Sequence, residues 1–368
     1  MPTKTSDVAV IGAGIVGLAT AFAVRARGAT VTVYERGTPG AGQSGGDSRV
    51  FRHAHDDPRL VALARRSRAI YREWEEELGV ELVSADGVVM LGPEVPRRLE
   101  LLRAAGVDAA AVAPGELADR MPALAAVDGP AAFDAEGGSI RAATAVGALV
   151  GRLGDDLVTD EALALWERAE GSVEVRAAGA RGEHGSAVVC AGRDTARFAR
   201  GLGLSIPVEM SLHGRVSFDV RGPAPARLAC LLDGSEQFGD AGVYGAPSPG
   251  SSRYSIGVDG RAAAREDASV IAPATLASVT DRGLAYVRRA LPGVDPTPVD
   301  YRHCWVTSLP WGEDAIGVWE SGRALLVAGD NLFKHAPAVG GTLAEAALDG
   351  ALADELRPAA RLGAADGP

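Results

Sequence analysis

The amino-terminal part of the chain contains the stretch Val8-Ala-Val-Ile-Gly-Ala-Gly-Ile-Val-Gly17, and this stretch decides the fold. Its first four residues form an apolar run typical of a buried strand, and apolar side chains then recur at helical spacing until Gly28. Gly12 permits a tight turn, Gly14 lets a phosphate approach the backbone at the helix N-terminus, and Gly17 lets helix and strand pack closely. The stretch therefore predicts a dinucleotide-binding β-α unit.

A second predicted strand, 30–34, ends at Glu35, which lies 23 residues after Gly12. A carboxylate at this distance can accept hydrogen bonds from adenosine ribose hydroxyls, and it disfavours the 2′-phosphate of NADP. Arg36 and Ser44, in the glycine-rich loop that follows, are predicted to bind the same cofactor. The alternative is a glycine-rich turn that binds no ligand. It requires the strand, the glycine turn, the helix and the carboxylate to occur together by coincidence.

Two further segments indicate FAD, which is longer than NAD and is held along its length. Val188-Val-Cys-Ala-Gly192 resembles the strand and Ala-Gly turn beneath the cofactor in flavoproteins with two dinucleotide-binding domains. Val327-Ala-Gly329-Asp330, followed by a loop and a predicted helix, resembles their carboxyl-terminal segment, where a helix N-terminus stabilises the negative charge of reduced flavin. Gly192, Gly329 and Asp330 are accordingly predicted to bind FAD. A NAD-dependent amino-acid dehydrogenase is the alternative.

The composition excludes several classes of protein. The 368 residues carry a formal net charge of −11, so a phosphate backbone would be repelled and nucleic-acid binding is not expected. The three cysteines, Cys190, Cys230 and Cys304, follow no disulfide or metal-site spacing, which fits reduced thiols in the cytoplasm. No export signal is visible, and the most apolar stretch, 8–24, is too short and too rich in glycine to span a membrane. We therefore expect a cytoplasmic protein that binds neither metal nor membrane.

The predicted elements indicate an α/β fold with two domains. β-α units occur at both ends of the chain, whereas 214–259 shows alternating strands with glycine and proline turns. The discontinuous Rossmann-like FAD domain is predicted to consist of 1–84, 140–212 and 304–368. The inserted α+β substrate domain is predicted to consist of 85–139 and 213–303. The last helix is predicted over 340–356, and the tail after Pro358, rich in alanine and glycine, is expected to be disordered.

The segment 45–54 makes the chain recognisable at family level. It reads Gly-Gly-Asp-Ser-Arg49-Val-Phe-Arg52-His-Ala and resembles the Gly-Asp-(Thr/Ser)-Arg-x-x-Arg-x-Ala motif of monomeric sarcosine oxidase, N-methyltryptophan oxidase and their relatives in the D-amino-acid-oxidase superfamily. The resemblance implies that Arg49 lies near the flavin and that Arg52 binds the substrate carboxylate. A guanidinium suits this role because it grips a carboxylate through two parallel hydrogen bonds and remains charged. The alternative is that both arginines are surface or structural ion-pair residues.

Two later residues carry the same resemblance. Cys304 begins Cys-Trp-Val-Thr307, which is similar to the family's Cys-x-x-Thr segment, and this implies that FAD is covalently attached through Cys304. Lys334 falls where the family has a lysine that shares the substrate carboxylate with the second arginine, although the loop here is shorter. Lys334 is therefore assigned to the substrate and cofactor site. A buried free cysteine and a structural ion pair are the respective alternatives.

The resemblance implies an FAD-dependent oxidoreductase that oxidises a C–N bond of a carboxylate-bearing secondary or N-substituted amine. A hydride passes to flavin N5 in that family, an imine forms, and molecular oxygen reoxidises the flavin to give hydrogen peroxide. The expected partners are thus a small-molecule amine or amino acid and oxygen.

Three positions depart from the family pattern. The family has a strand lysine that is important for the reaction of reduced flavin with oxygen. The corresponding strand here reads Ser255-Ile-Gly and contains no lysine. The positive charge that stabilises superoxide beside the reduced flavin would then come from another residue, such as Arg49 or His303. Alternatively, the enzyme is a dehydrogenase or desaturase with poor oxygen reactivity. Gly45 and Asp259 stand where sarcosine oxidase has histidines, and the smaller Gly45 would admit a bulkier substrate. The alternative to an enzyme is a non-catalytic subunit of a larger complex that binds flavin.

Overall fold

The computed structural model describes residues 3–267 and 269–364, and these divide into two compact units. The first unit lies within Met1–Gly45, Ala143–Met210 and Val306–Pro368. The second unit lies within Gly46–Ala142 and Ser211–Trp305. Each unit is therefore assembled from separated segments of the chain.

Helices and strands are numbered in chain order within the described residues. The helices are α1 (Ile15–Ala26), α2 (Pro58–Leu78), α3 (Val95–Ala104), α4 (Pro114–Arg120), α5 (Ala142–Leu153), α6 (Thr195–Gly201), α7 (Pro273–Ala290) and α8 (Ala336–Asp349). The strands are β1 (Thr3–Ile11), β2 (Val31–Glu35), β3 (Ser48–Phe51), β4 (Val88–Leu91), β5 (Ala109–Ala111), β6 (Ala131–Asp134), β7 (Gly138–Arg141), β8 (Leu157–Thr159), β9 (Ala162–Glu167), β10 (Val173–Ala177), β11 (Arg181–Val189), β12 (Glu209–Val220), β13 (Cys230–Asp233), β14 (Val243–Pro247), β15 (Arg253–Val258), β16 (Ala262–Ala263), β17 (Val294–Ser308), β18 (Ile316–Ser321) and β19 (Ala324–Gly329). Within these ranges, no helix is long and apolar enough to cross a lipid bilayer.

Parallel strands form the centre of the first unit, in the order β19-β11-β1-β2-β8. Residues 8–10 of the central strand β1 have no exposed surface, which explains why they form a continuous apolar run instead of an alternating one. Ile11 lies opposite Val189 of β11 and Tyr34 of β2. The three strands therefore end together, and the loops that follow them share one edge of the sheet.

Helix α8 differs from its prediction at both ends. It spans Ala336–Asp349, whereas the sequence predicted 340–356. Pro337 fits the first turn of the helix, where a missing N–H costs no hydrogen bond, so the helix begins earlier. Gly350 has a left-handed conformation with φ +78° and ends the helix before the predicted terminus.

The tail after Pro358 is ordered in its first part. The carbonyl oxygen of Leu362 accepts hydrogen bonds from the N–H of Ile316 and from Nε1 of Trp311, both at 3.1 Å. Leu362 is buried, so apolar burial fixes this segment. The predicted disorder is therefore wrong for 358–364, and 365–368 lie outside the described residues.

A nine-stranded sheet forms the core of the second unit, in the order β16-β12-β15-β14-β13-β4-β6-β5, with β17 also paired to β12. The alternating strands predicted between 214 and 259 are present as β12 to β15. Aromatic side chains from this sheet and from α7, including Phe218, Tyr254 and Tyr286, pack in one apolar cluster. β12 and β15 pair antiparallel, and this pairing positions the polar side chains of the candidate site.

A separate two-stranded sheet, β3 with β7, also belongs to the second unit. Glu75 of α2, the helix that follows β3, accepts the N–H groups of Leu82 and Val83 at 2.9 and 2.8 Å. Strand pairing and these bonds place 46–84 in the second unit, whereas the sequence assigned it to the FAD domain. The compact units thus divide the chain differently here, and which segments bind the cofactor stays a prediction.

Candidate functional site

The glycine turn after β1 is tight at two positions. Gly12 has φ +102°, and a Cβ on Gly17 would lie 1.9 Å from the carbonyl oxygen of Gly12. Neither position accommodates a side chain. A Cβ on Gly14 would lie 3.3 Å from Oγ of Ser44, and this hydroxyl accepts the N–H of Ile15 in the first turn of α1 at 2.9 Å. Ser44, predicted from its loop, therefore holds the start of the helix.

Glu35 lies beside this turn, at the end of β2. Its Oε2 accepts the N–H of Ala13 at 2.8 Å and its Oε1 accepts the N–H of Gly37 at 3.0 Å. Each carboxylate oxygen can accept more than one hydrogen bond, so Glu35 retains capacity for ribose hydroxyls. Side chains are absent at positions 12 and 14, so the turn and the carboxylate fit a dinucleotide.

The turn after β11 reaches the same edge of the sheet. Arg36 pairs with Asp194 of this turn at 2.8 Å, so Arg36 links two loops. A Cβ on Gly192, which has φ +57°, would lie 2.6 Å from Oε1 of Gln43. Gln43 is in contact with the backbone of this turn. Sequence reasoning missed Gln43 because no motif surrounds it.

A short hydrogen-bonded chain connects Gln43 to the end of β19. Nε2 of Gln43 donates to Oγ1 of Thr307 at 3.2 Å, and Oγ1 of Thr307 donates to the carbonyl oxygen of Gly329 at 3.0 Å. Gly329 was a predicted site residue. Thr307 was not, although it is the threonine of the Cys-x-x-Thr segment, which was the signal that could have identified it.

Lys334 is engaged by a carboxylate of the protein itself. It is buried, and its Nζ lies 3.1 Å from Oδ1 of Asp314 and 3.4 Å from the carbonyl oxygen of Asn331. Oδ1 of the predicted residue Asp330 accepts the N–H of Asn331 at 2.7 Å. The sequence left two roles open for Lys334, a ligand of the substrate carboxylate and a structural ion pair. The structure shows an ion-pair partner, Asp314.

The two arginines of the family segment donate to different backbone carbonyl groups. Nη1 of Arg49 donates to the carbonyl oxygen of Ser48 at 2.9 Å, whereas Nη1 of Arg52 donates to the carbonyl oxygen of Ala54. Arg49 lines a cavity of about 50 Å³ in the second unit, and Arg52 is not among its lining residues.

This cavity is strongly cationic. Its lining contains four arginines, two aspartates and several hydroxyl groups. The charged members are Arg49, Arg215, Arg253, Arg302, Asp47 and Asp300. Such a set of side chains is suited to binding an anion.

Arg215 of β12 is the buried member of this set and was not predicted. It is 7% exposed, and its Nη1 donates to the carbonyl oxygen of Ser48 at 2.8 Å. Its Nε and Nη2 have no hydrogen-bond partner among the described residues. Burial first, and then the positive charge of Arg215, lower the pKa of Arg49 to about 10. The cavity therefore holds guanidinium groups that repel one another.

Tyr244 and His213 lie close to this set. Oη of Tyr244 is 3.0 Å from Nδ1 of His213, and the two rings stack. Burial and the charges of Arg215, Arg261 and Arg49 lower the pKa of His213 to about 3, so this imidazole is neutral near neutral pH. His213 is therefore a hydrogen-bonding group and adds no charge to the cavity.

Cys304 is a partly exposed free thiol on β17, in the second unit. Its charge interactions with Arg49 and Tyr244 show that it lies near the cationic cavity. Cys190 and Cys230 are buried, and burial raises the pKa of Cys190 to about 12. Cys304 is thus the accessible thiol of the three cysteines.

Ser255 is the residue that the sequence comparison predicts at the position of the family's strand lysine. Oγ of Ser255 lies 2.8 Å from Oγ of Ser217, its register partner across β12 and β15, and both residues line the cavity. Arg215 lies on the same strand as Ser217, two positions away. Side chains two positions apart share a face, so positive charge is still present on this part of the sheet. His303 is exposed, with Nε2 3.0 Å from Oη of Tyr301.

The Rossmann-like sheet, the glycine turn and the carboxylate at the end of β2 define a dinucleotide-binding protein of the α/β class. The match to known families is more specific. Residues 7–346 match the DAO family, described as FAD dependent oxidoreductase, and the chain belongs to this family. It is therefore an FAD-dependent oxidoreductase, as the resemblance implied.

Individual relatives support this assignment. The chain is 33% identical over 223 residues to a monomeric sarcosine oxidase of Streptomyces avermitilis, and the match covers 56% of this chain and 57% of the relative. The structure is similar to NikD, an unusual amino acid oxidase essential for nikkomycin biosynthesis, with a TM-score of 0.78, 21% identity and 98% of each chain covered. It is also similar to glycine oxidase from Geobacillus kaustophilus, with a TM-score of 0.79, 21% identity and 96% of each chain covered. At this identity the structural likeness concerns the fold, and it confirms the predicted fold class.

Proposed function

We propose that the protein oxidises a C–N bond of a carboxylate-bearing secondary or N-substituted amine. The observation that carries this proposal is the buried guanidinium of Arg215 beside the half-buried guanidinium of Arg49 in a family of FAD-dependent oxidoreductases. A guanidinium out of water binds a carboxylate more strongly than an exposed one does. The sarcosine oxidase and amino acid oxidase relatives agree with an amine substrate.

FAD supplies a hydride acceptor when it is bound. We propose that the turn containing Gly12, Gly14 and Gly17 accommodates its pyrophosphate and that Glu35 accepts its ribose hydroxyls. Ser44 holds the start of α1 in place for this contact. Arg36 positions the neighbouring loop through Asp194. Gly192, Gly329 and Asp330 complete the proposed cofactor-binding set.

The protein groups orient the amine through its carboxylate. We propose Arg52 as a carboxylate ligand, the role that the family resemblance implies, because a guanidinium grips a carboxylate through two parallel hydrogen bonds. Arg49 is proposed to lie near the flavin and to supply positive charge there. Lys334 is proposed as a further carboxylate ligand, and its ion pair with Asp314 competes with this role. An amine that arrives neutral needs no strong base, so orientation and exclusion of water are the main tasks of these residues.

Covalent attachment of FAD through Cys304 and the use of oxygen as electron acceptor are further parts of the proposal. The accessibility of Cys304 supports attachment. Ser255 in place of a lysine favours the second candidate function, a dehydrogenase or desaturase that reacts slowly with oxygen. Arg215 on the adjacent strand supports the oxidase, because it supplies positive charge on the same face of the sheet.

A kinetic experiment tests the proposed role of the carboxylate. Hydrogen peroxide formation is measured with N-methyl amino acids, and with the corresponding amines that lack the carboxylate. We expect Arg52→Ala to raise KM for the amino acids by about 10- to 100-fold while kcat changes little. An unchanged KM would contradict the assignment of Arg52. Reduced flavin that persists in air would favour the dehydrogenase.

A further inference from the structure

Arg215 is more than nine-tenths buried, yet part of its guanidinium has no partner. One donor, Nη1, reaches the carbonyl oxygen of Ser48, whereas Nε and Nη2 have none among the described residues. Buried polar groups in folded proteins are nearly always hydrogen-bonded, so an unmatched pair of donors on one guanidinium indicates an external acceptor. Nε and Nη2 form the edge that binds a carboxylate through two parallel bonds.

Two further arginines surround the same cavity. A Cβ on Gly46 would lie 3.0 Å from Nη1 of Arg49 and 3.6 Å from atoms of Arg302, so both side chains pass beside this glycine. Neighbouring positive charges repel one another, and the charge of Arg302 is one of those that lower the pKa of Arg49. Asp300 and Arg302 both line the cavity and are both exposed, whereas Arg49 is half-buried. An oxyanion in the cavity would relieve the repulsion.

The remaining lining residues also suit an oxyanion. Arg253 is engaged by Asp219 at 3.1 Å, so it adds little free charge. The hydroxyls of Ser217 and Ser255 supply neutral donors on the same wall. A cavity of about 50 Å³ has room for a carboxylate group.

We propose that this cavity is a subsite for a carboxylate of the substrate, with Arg215 as its principal ligand and Arg302 as a second. The inference rests on the proposed function for the identity of the ligand and deepens it. Arg52, to which the sequence assigned the carboxylate, does not line the cavity. The substrate is therefore an amino acid with an acidic group that reaches Arg215. In a dicarboxylic amino acid, one carboxylate would bind Arg215 and the other would bind Arg52.

The binding of a dicarboxylate to the purified holoprotein tests the proposed carboxylate subsite without turnover. Sodium glutarate is titrated calorimetrically, with glutaramide as the uncharged control ligand. We expect Arg215→Gln to weaken glutarate binding by about 10- to 100-fold and Arg302→Gln to weaken it less, since a hydrogen-bonded charge is lost in each. Arg221→Gln removes an exposed positive charge just beyond β12 and is expected to change affinity less than about twofold.

Unchanged glutarate affinity in Arg215→Gln would overturn the proposal. If this variant does not fold, Arg215→Lys replaces it, because a lysine retains the charge without the two-pronged geometry and is expected to bind about tenfold more weakly. Failure to oxidise any amine while glutarate still binds through Arg215 would refute the proposed function alone. Intact amine oxidation with no role for Arg215 in binding would refute the subsite alone.

Substrate kinetics then identify which acidic group occupies the subsite. A loss of kcat/KM in Arg215→Gln for monocarboxylic and dicarboxylic amines alike supports binding of the carboxylate next to the amine. A loss restricted to dicarboxylic amines supports binding of the second carboxylate. A loss for neither would overturn the proposal.

Discussion

At the residue scale, the glycine turn offers a matched pair of substitutions. Gly12→Ala places a Cβ 2.5 Å from the carbonyl oxygen of Cys190 at φ +102°, so we expect this variant to lose FAD or to fold poorly. Gly147→Ala lies on the exposed face of α5, with no atom within 4 Å of the new Cβ. It is expected to stabilise the fold by about 0.5 to 1 kcal/mol. Flavin content and thermal unfolding measure both effects. A Gly12→Ala protein with full flavin would contradict the assigned turn.

Cys304 can be tested by acid precipitation. A thioether bond survives acid, so the flavin colour is expected in the pellet of the parent protein and in the supernatant of Cys304→Ala. Cys230→Ala is the control, because Cys230 is buried in the apolar core of the second unit and is expected to leave the flavin in the pellet. Colour in the supernatant of the parent protein would mean that the flavin is not attached through Cys304.

The residues that sequence reasoning could find are those whose chemistry depends on near neighbours in the chain. Gly12, Gly17 and Glu35 belong to one β-α-β unit with fixed spacing. Arg215 was missed because a single arginine in an alternating strand has no local signature. Its importance arises from the partners that antiparallel pairing and chain reversal bring to it, and these are distant in sequence.

At the element scale, Asp134 fixes the turn between β6 and β7. It is fully buried, and its carboxylate accepts the N–H groups of His53, Glu136 and Gly137 and lies 2.9 Å from Nδ1 of His53. Asp134→Ala leaves these donors unsatisfied, so we expect a loss of about 3 kcal/mol or more in the free energy of unfolding. Denaturant titration measures it. Asp128→Ala, at an exposed position, is expected to stay within about 0.5 kcal/mol, and equal effects of the two changes would contradict this interpretation.

His184 makes the first unit sensitive to acid. Burial lowers its pKa to about 4, while its ring nitrogens contact Ser6 and Tyr34 at 2.7 and 3.0 Å. In the unfolded chain the group titrates near pH 6.5, so the unfolded state binds the proton first as the pH falls. Stability is therefore expected to decrease from about pH 6.5 to about pH 4, by about 3 kcal/mol from this group.

The pH dependence can be assigned to His184 by substitution. His184→Gln removes the titrating group and is expected to flatten the loss of stability between about pH 7 and about pH 4.5, whatever its effect at neutral pH. His303→Gln, at an exposed position, is the control and is expected to keep the slope. Denaturant midpoints at several pH values provide the measurement, and an unchanged slope in His184→Gln would contradict the assignment.

Helical periodicity indicates which face of a helix is buried more readily than it indicates what packs against its other faces. Leu60, Leu63, Ser67 and Trp74 recur along α2 at helical spacing, and all four are buried. Arg68, which the same spacing places off the apolar face, is nevertheless buried, because its Nε donates to the carbonyl oxygen of Glu136 at 3.0 Å. Periodicity describes one helix and contains no information about what packs against its other faces.

At the scale of the whole molecule, the sequence predicted a discontinuous two-part α/β chain, and the family match confirms the FAD-dependent class. The compact units divide the chain differently from the predicted domains at 46–84. The segment 46–84 follows the glycine-rich loop directly, yet β3 pairs with β7 about 90 residues later. Such long-range pairing depends on the complementarity of distant strands, which local patterns do not encode.

The most direct test of the account is anaerobic mixing of the flavin-loaded protein with N-methyl amino acids while the visible flavin absorbance is recorded. The account predicts that the absorbance bleaches with carboxylate-bearing amines, and far more slowly with the same amines lacking the carboxylate. Equal rates of bleaching by amines with and without the carboxylate would contradict substrate recognition by arginine. A flavin that no amine reduces would contradict the proposed oxidation of a C–N bond.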